Sequence, residues 1–259
     1  MGMDLQVTTQ VVGAIGHVRF SKPPFNYACP ELLRAIADGI DTLDAEPEVR
    51  CLLLSSEGRN FCAGADLAGD EAIASDGGMD SIARLYEQAT RIFRRRKPMV
   101  AAVQGGAIGA GLGLALMADF RVAASSARLS ANFVRLGFHP GFALTKTLPR
   151  LVGAQNAAWL MLSAARTKPD EALRIGLVDR IVPDGALDQA ALEMAREIAA
   201  NAPLALIAVR ETLVADLLEK LSPTLAHEHH QQSILKQTAD YAEGVASVFE
   251  RRDAQFLGR

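Results

Sequence analysis

Two short, densely apolar segments at residues 49–55 and 99–103 constrain the fold of this chain more strongly than any other feature. Each follows a longer stretch, at 30–43 and at 79–95, in which apolar residues recur at helical spacing. Short continuous apolar runs are typical of strands buried on both faces, as in a parallel sheet covered by helices. The alternation of such strands with amphipathic helices therefore predicts an α/β fold.

The C-terminal part of the chain has a different pattern. Further strands are expected at 14–19 and 120–123, whereas helical spacing dominates after residue 148. We expect residues 1–200 to form an α/β core that holds the functional site. Residues 201–259 should form a helical region that packs on this core or on a neighbouring subunit. The expected later helices lie at 114–117, 154–163, 169–175, 187–201, 203–221 and 224–249.

Composition narrows the class of protein. Of the 259 residues, 49 % are apolar, which is ample for a buried core, and the net charge of −3 gives no general attraction to nucleic acid or anionic membranes. The cysteines Cys29, Cys51 and Cys62 are odd in number and widely spaced, so neither a disulfide framework nor a C-x-x-C metal site is expected. The sequence shows neither a secretory leader nor an apolar run of about 20 residues. We therefore expect a cytoplasmic protein with no nucleic-acid or membrane partner.

Two loops rich in small residues follow the buried strands and carry the candidate chemistry. Residues 57–67 and 104–113 combine glycines and alanines, whose small side chains let a ligand approach the backbone amides. Two amides that converge on one oxygen form an oxyanion hole, which stabilises negative charge as it develops in a reaction. Each loop alone is equally compatible with an ordinary tight turn. A dinucleotide-binding loop is disfavoured because the glycines lack the G-x-G-x-x-G spacing.

Several motifs occur in a fixed order along nearly the whole chain. Residues 61–67, F-C-A-G-A-D-L, resemble F-x-A-G-A-D-[LI], and residues 97–105 resemble K-P-x-[IV]-A-A-[VI]-x-G. Further matching segments lie at 22–26, 107–113, 135–137, 140–141, 148–153, 172–181 and 243–256. Together they resemble the crotonase, or enoyl-CoA hydratase/isomerase, superfamily.

This resemblance implies a fold, a substrate class and an assembly. The fold would be a crotonase-like spiral of repeated strand-strand-helix units with a C-terminal helical trimerisation region. The protein would form a homotrimer or a dimer of trimers. Its substrate would be an acyl-CoA thioester, with coenzyme A as part of the substrate and with no separate cofactor and no metal.

The resemblance also assigns site residues by position. Ala65 and Ala110 would supply the two oxyanion amides, and alanine at 110, where the family usually has glycine, keeps that amide. Ala63, Asp66 and Leu67 would line the adenine end of the coenzyme A site through their backbone.

Both glutamates that hydratases of this family use as general acid and base are replaced. Their positions hold Gly113 and Phe133, and neither residue can transfer a proton. We therefore predict an acyl-CoA lyase or isomerase that stabilises a thioester enolate, for which isomerase, decarboxylase or other lyase chemistry is at least as well supported as hydration. Phe133 would lie against an apolar or aromatic acyl group. The alternative is a paralogue that binds acyl-CoA without turnover.

His139 is the first candidate for a replacement acid or base, because imidazole titrates near neutrality. The competing interpretation is that His139 hydrogen-bonds the backbone and fixes its loop. Tyr86 is a weaker candidate on a helix that would overhang the acyl pocket, with a core tyrosine as its alternative. Asp70 and Glu71 follow the first loop and could reach the pocket. The alternative is that they are solvated surface acids.

Three charged features favour structural interpretations. The run H-E-H-H at 227–230 fits a solvated or interface face of a helix better than a metal site. The basic run at 94–97 fits a solvated helix end, with contact to coenzyme A phosphates as the alternative. Asp119, which precedes a strand, fits a structural cap.

Overall fold

The computed structural model describes residues 5–65 and 81–259, and its strands build two sheets in these ranges. Six strands form one sheet and two form a second, smaller one. The strands are β1 (Gln6–Val12), β2 (Ile15–Ser21), β3 (Cys51–Ser56), β4 (Met99–Val103), β5 (Gly106–Ile108), β6 (Phe120–Ala124), β7 (Arg128–Ser130) and β8 (Arg180–Val182). The large sheet has the order β1-β2-β3-β4-β6-β8, and β5 pairs with β7. Only β1 and β2 are antiparallel in the large sheet, so the carboxyl ends of its other strands meet at one edge.

Within the described ranges the chain also forms eight α-helices. They are α1 (Pro30–Ala45), α2 (Ser81–Arg94), α3 (Ala110–Leu116), α4 (Leu144–Ser163), α5 (Pro169–Arg174), α6 (Leu187–Ala199), α7 (Pro203–Leu235) and α8 (Ala239–Glu250). α4 is kinked at Gly153, whose φ of 76° is not helical. α6 and α7 meet at an angle of 101°. Beyond this bend, α7 packs on α2 and α4.

The central strands β3 and β4 are buried on both faces, as their continuous apolar sequence requires. Leu52 and Leu54 belong to the larger core together with α1, whereas Leu53 belongs to a second core against α6. Ala191 and Ala195 on α6 are small enough to let that helix approach the sheet closely. The predicted α/β architecture is therefore confirmed.

The sequence-based assignments miss the short strands β5, β7 and β8 and the first half of α4, and they also fail at the two ends of the chain. β1 was not expected, because its residues are mostly exposed and lack an apolar run. The predicted break between helices near residue 222 is wrong, since α7 continues through Pro223 to Leu235. Proline removes one helical hydrogen bond, but Pro223 is exposed while Leu221 and Leu225 beside it are buried, and their packing keeps the helix intact.

An ion-pair cluster fastens the first half of α7 to the core. Asp119 Oδ2 accepts from Arg95 at 2.6 Å, from Arg210 on α7 at 3.0 Å and from the Met99 amide at 2.9 Å. Burial alone would raise the pKa of Asp119, but the charges of Arg95 and Arg210 outweigh it and hold the pKa below its usual value. Burial lowers the pKa of Arg95 to about 10. Asp119 thus has the structural place that the sequence favoured.

The basic run at 94–97 does not form a solvated helix end throughout. Arg95 and Lys97 are buried, whereas Arg94 and Arg96 are exposed. Lys97 Nζ donates to the carbonyl oxygens of Leu43 at 3.0 Å and of Glu46 at 2.6 Å. Two of the four side chains are therefore structural and link α2, α1 and β4. Burying their charges without hydrogen-bond acceptors would be energetically costly.

In residues 5–65 and 81–259, no single helix is long and apolar enough to cross a membrane, although the bent pair 184–199 and 203–235 together has sufficient length and apolar character.

Candidate active site

The two small-residue loops lie side by side, held by backbone hydrogen bonds. The Cys62 amide donates to Gly106 O at 3.0 Å, and the Ile108 amide donates to Cys62 O at 3.1 Å. Cys62 and Ala107 form a parallel bridge in this way. Ala65 and Ala110 each follow a bridged residue by three positions, so the bridge sets these two alanines next to one another.

Glycines make this close approach possible. Gly64 has a φ of 107°, which L side chains rarely adopt, and a Cβ there would lie 3.3 Å from Ile108 O. A Cβ on Gly111 would overlap the Cys62 carbonyl, with its carbon only 2.7 Å away. The two loops therefore need glycine at these positions to bring their backbones together.

Ala65 and Ala110 line the same cavity. Among residues 5–65 and 81–259, no backbone hydrogen bond uses the amide of either residue. Ala110 begins α3, and the first amides of a helix have no partner within it. Within the described residues, both N–H groups thus lack a backbone acceptor, which is compatible with a role as donors to a ligand oxygen.

Phe142 fills the position of the first absent glutamate. A Cβ on Gly113 would overlap the Phe142 Cβ and would lie 2.9 Å from its Cγ. Phe142 itself lines the cavity and packs edge to face on Tyr86, with ring centroids 5.4 Å apart. A glutamate at 113 therefore cannot coexist with Phe142 as it is placed here.

Tyr86 and Gln232 occupy the space beside Gly141. A Cβ on Gly141 would overlap the Tyr86 hydroxyl and would lie 2.7 Å from Gln232 Nε2. The Tyr86 hydroxyl donates to Gln232 Oε1 at 2.8 Å, and Gln232 Nε2 donates to His139 O at 2.9 Å. These hydrogen bonds fix the two polar side chains at the cavity wall.

The cavity that these residues line is small and mainly apolar. Its volume is about 90 Å³, and its aromatic walls are Tyr86, Phe133, Phe138 and Phe142. Within the described ranges, its polar side chains are those of Tyr86, Asn132 and Gln232, and no carboxylate or imidazole lines it. Phe133 lines the cavity near the Gly109 that precedes Ala110, and its contact with an acyl group stays a prediction.

His139 is placed beside the cavity and does not line it. Its Nδ1 lies 2.7 Å from Pro140 O, and its ring packs on His227 at a centroid distance of 5.9 Å. This contact is the loop-fixing interaction that the sequence left open. A role for His139 as acid or base stays a hypothesis.

The first loop of the site is only partly described. Asp66 and Leu67, predicted to contact the adenine end, and the candidates Asp70 and Glu71 lie outside the described residues. Ala63 is described, and its amide donates to Phe25 O at 3.1 Å. It lies where the acyl cavity meets a larger polar cleft.

This cleft follows the carboxyl ends of the parallel strands. It measures about 1190 Å³ and shares Ala63 and Ile108 with the acyl cavity. Three exposed arginines, Arg59, Arg128 and Arg166, line it. Arg19 and the acids Glu57, Asp184 and Asp188 also line it, so a large polar cleft with charges of both signs opens directly from the small apolar cavity.

The run at 227–230 is divided between solvent and the interior. His227 and His230 are exposed, but Glu228 is fully buried, which corrects the prediction of a solvated or interface face. No group of three metal-binding side chains occurs in residues 5–65 and 81–259. Glu228 falls on the buried face of α7 because it follows Leu221 and Leu225 at helical spacing.

Gln232 and Phe142 are site residues that the sequence analysis missed. Gln232 lies four residues after Glu228, so polar residues continue the buried face begun by Leu221 and Leu225. A polar residue at a buried position of a helix indicates that its side chain forms a hydrogen bond in the protein interior. Phe142 carried no comparable signal, because its place depends on the loop conformation.

Sequence comparison defines the class to which this site belongs. A model of the family "Enoyl-CoA hydratase/isomerase" matches residues 10–259. The chain belongs to the enoyl-CoA hydratase/isomerase family. Its fold is accordingly the crotonase fold, with a C-terminal helical region.

Individual relatives span several reactions of acyl-CoA thioesters. The 1,2-epoxyphenylacetyl-CoA isomerase of Escherichia coli K12 is 33 % identical over 88 % of this chain and 89 % of its own. A crystal structure of an enoyl-CoA hydratase/isomerase from Pseudoalteromonas atlantica T6c superposes with a TM-score of 0.86 at 29 % identity, covering 97 % of this chain and 99 % of its own. Methylmalonyl-CoA decarboxylase in complex with 2-nitronate-propionyl-CoA superposes with a TM-score of 0.82 at 25 % identity, covering 98 % of each chain. Isomerase and decarboxylase chemistries therefore both occur among similar proteins.

Proposed function

We propose that this protein binds an acyl-CoA thioester with the carbonyl oxygen between the amides of Ala65 and Ala110, where it stabilises an enolate. The observation that carries the proposal is the pair of available amides in one cavity. Each such donor typically contributes about 3 to 4 kcal/mol to the stability of the transition state. An apolar cavity strengthens these hydrogen bonds because water does not compete for the oxygen.

Hydration by a pair of glutamates is not the proposed reaction. Gly113 and Phe133 hold the two positions, and a side chain at 113 would overlap Phe142. Reactions that need no carboxylate base at these positions fit the cavity better. They include the decarboxylation of a malonyl-type thioester and the shift of a double bond.

Of these two, decarboxylation places the smaller demand on the site. The bond between the α carbon and the carboxylate breaks, its electron pair forms the enolate between the two amides, and CO₂ leaves. A proton then adds to the α carbon. The Tyr86 hydroxyl, which lines the cavity, is the proposed donor. Its single proton, which points to Gln232 Oε1 in this structure, would turn to the α carbon, and a proton from water would then restore the hydroxyl.

The size of the cavity favours a short acyl group. A volume of about 90 Å³ is well below the roughly 300–1,000 Å³ of typical small-molecule pockets. The pantetheine and nucleotide portions of coenzyme A would then lie in the adjoining polar cleft. Its arginines suit phosphate groups, because guanidinium forms paired hydrogen bonds with phosphate oxygens.

Several expectations accompany this proposal. We expect a homotrimer or a dimer of trimers, no cofactor apart from coenzyme A in the substrate, and a cytoplasmic location. The division into a core at 1–200 and a helical region at 201–259 also stays a prediction. Gln232 would make that helical region part of the acyl site, whereas the sequence assigned the site to the core.

A panel of thioesters tests the function. Purified protein is offered crotonyl-CoA, a 3-enoyl-CoA, malonyl-CoA, methylmalonyl-CoA and an aromatic acyl-CoA, and products are separated by chromatography. We expect decarboxylation or isomerisation to exceed hydration. Binding of every thioester without turnover of any would support the non-catalytic alternative instead.

Tyr86→Phe tests the proton donor within the same panel. General acid catalysis typically contributes about 100- to 10,000-fold, so decarboxylation should fall by at least about 100-fold. The oxyanion hole is unchanged in this variant, and calorimetry should show that substrate affinity is kept. Turnover equal to that of the wild type would remove Tyr86 from the mechanism.

A further inference from the structure

One wall of the acyl cavity is a loop that the C-terminal helix α7 holds at two points. Residues 137–143 connect a short helical turn at Asn132–Leu136 to α4, and both Phe138 and Phe142 in this loop line the cavity. Gln232 on α7 holds the carbonyl of His139. One helical turn earlier, Glu228 holds the other end of the loop.

Glu228 supplies the cap that the start of α4 lacks. Its carboxylate accepts from the Ala143 amide at 2.8 Å, from the Thr145 amide at 3.1 Å and from the Thr145 hydroxyl at 2.6 Å. Ala143 is the N-cap of α4 and has no polar side chain to bind these amides itself. Glu228 is fully buried, so its three donors replace the water that it has lost.

The backbone that Glu228 holds is strained. Phe142 and Ala143 both have a φ of 58°, a conformation that residues with a side chain adopt only when their surroundings impose it. This conformation points the Phe142 ring into the cavity, onto Gly113 and Tyr86. A relaxed loop would move the ring and change the space available to an acyl group.

We propose that Glu228 is a positioning residue that sets the length of acyl group accepted, by locking Phe142 against Gly113. The inference rests on the proposed function, in which this cavity holds the acyl group of a thioester. Glu228 does not line the cavity and acts only through Ala143, Thr145 and Phe142. Its role is therefore in specificity, whereas the oxyanion amides and Tyr86 serve the reaction.

Acyl-chain selectivity in binding is the direct measure of this role. Saturated thioesters from acetyl-CoA to octanoyl-CoA are titrated by calorimetry, because they need no turnover. We expect wild-type affinity to fall sharply beyond a short chain, since one methylene in a fitted apolar pocket changes discrimination by about tenfold or more. Glu228→Gln, which keeps the shape but replaces one accepting oxygen by an NH₂ group, should reduce the ratio of short-chain to long-chain affinity at least about tenfold.

Matched variants separate positioning from folding. Glu219→Gln changes an exposed glutamate on the same helix and should leave both selectivity and melting temperature unchanged. Phe142→Ala should lose the same selectivity as Glu228→Gln, and the double variant should lose no more than either one. If Glu228→Gln does not fold, Thr145→Ala removes one donor to the carboxylate and should shift selectivity in the same direction by a smaller factor.

The outcomes distinguish the two proposals. A Glu228→Gln protein that melts at a lower temperature but selects chains like the wild type overturns the positioning role and leaves the proposed function intact. Additive losses in the double variant overturn it as well, because Glu228 would then act by another route. A wild-type protein that binds no acyl-CoA overturns the proposed function and this inference with it.

Discussion

The two sides of the acyl cavity are built in opposite ways. On one side, Ala65 and Ala110 present main-chain amides, and their positions follow from a backbone bridge between two loops. On the other side, Phe133, Phe142 and Tyr86 present side chains whose positions depend on packing and on α7. Main-chain geometry tolerates changes of side chain, whereas a side-chain wall changes with each substitution. The amides would therefore serve every reaction of this kind in the same way. The aromatic side chains would determine which acyl groups and which reaction are particular to this protein.

The largest effect is expected on the amide side. Ala110→Pro removes the N–H at the first position of α3, a position where proline suits a helix. Loss of one oxyanion donor should lower kcat about 100- to 1,000-fold with little change in the melting temperature. Steady-state kinetics and thermal melting measure the two quantities.

Ala110→Ser is the matched control for this substitution, because it keeps the amide and adds only a hydroxyl. It should remain within about tenfold of the wild type. Equal losses in the proline and serine variants would mean that the amide has no special role, and the contrast between the two sides would fail.

A smaller effect, with a diagnostic sign, is expected on the aromatic side. Alanine is preferred over glycine inside a helix by about 1 kcal/mol, so Gly113→Ala in α3 should stabilise the protein on propensity alone. The Cβ would overlap Phe142, and overpacking of this kind costs about 1 to 3 kcal/mol. We expect a net decrease in the free energy of unfolding, measured by urea denaturation.

The same change in a Phe142→Gly background should have the opposite sign. Without the Phe142 side chain the added methyl group has space, and helix propensity alone remains. A decrease of similar size in both backgrounds would show that Phe142 is not what excludes a side chain at 113.

The smallest effect is expected at His139, which lies behind the aromatic side. Its imidazole contacts Pro140 O and does not line the cavity. His139→Ala should therefore change kcat by no more than about twofold and the stability by about 1 kcal/mol, the contribution of one hydrogen bond. A fall of 100-fold or more would instead identify His139 as the acid or base.

The same contrast explains how much the sequence could predict. The two small-residue loops were predictable because small residues after buried strands are a local signal, and the parallel strands that carry them follow from apolar runs. The assignment of the oxyanion amides to Ala65 and Ala110 rests on the family resemblance and stays a prediction. Gly113 and Phe133 indicated that the two glutamates are missing, and in the described ranges no carboxylate lines the cavity. What replaces them was not predictable, since the Phe142 ring, the Tyr86 hydroxyl and Gln232 meet only after distant segments pack together.

Glu228 is the clearest example of this limit. Beside three histidines it looked like part of a polar surface, and its burial depends on α7 continuing through Pro223. A helix break at this proline would separate residue 221 from residues 225, 228 and 232, so the sequence did not show that these residues share one buried face. Once the helix is continuous, residues 221, 225, 228 and 232 fall on one side, and the polar pair at its end points to a buried partner.

The distance along the chain between the two sides of the cavity has a consequence for synthesis on the ribosome. Proteins emerge N-terminus first, so the segments with Ala65 and Ala110 are available to fold long before α7. Until Glu228 and Gln232 have emerged, the loop with Phe142 lacks its holding contacts and the cavity is open on that side. A nascent chain would therefore acquire its oxyanion amides early and its selectivity for acyl groups only near the end of translation.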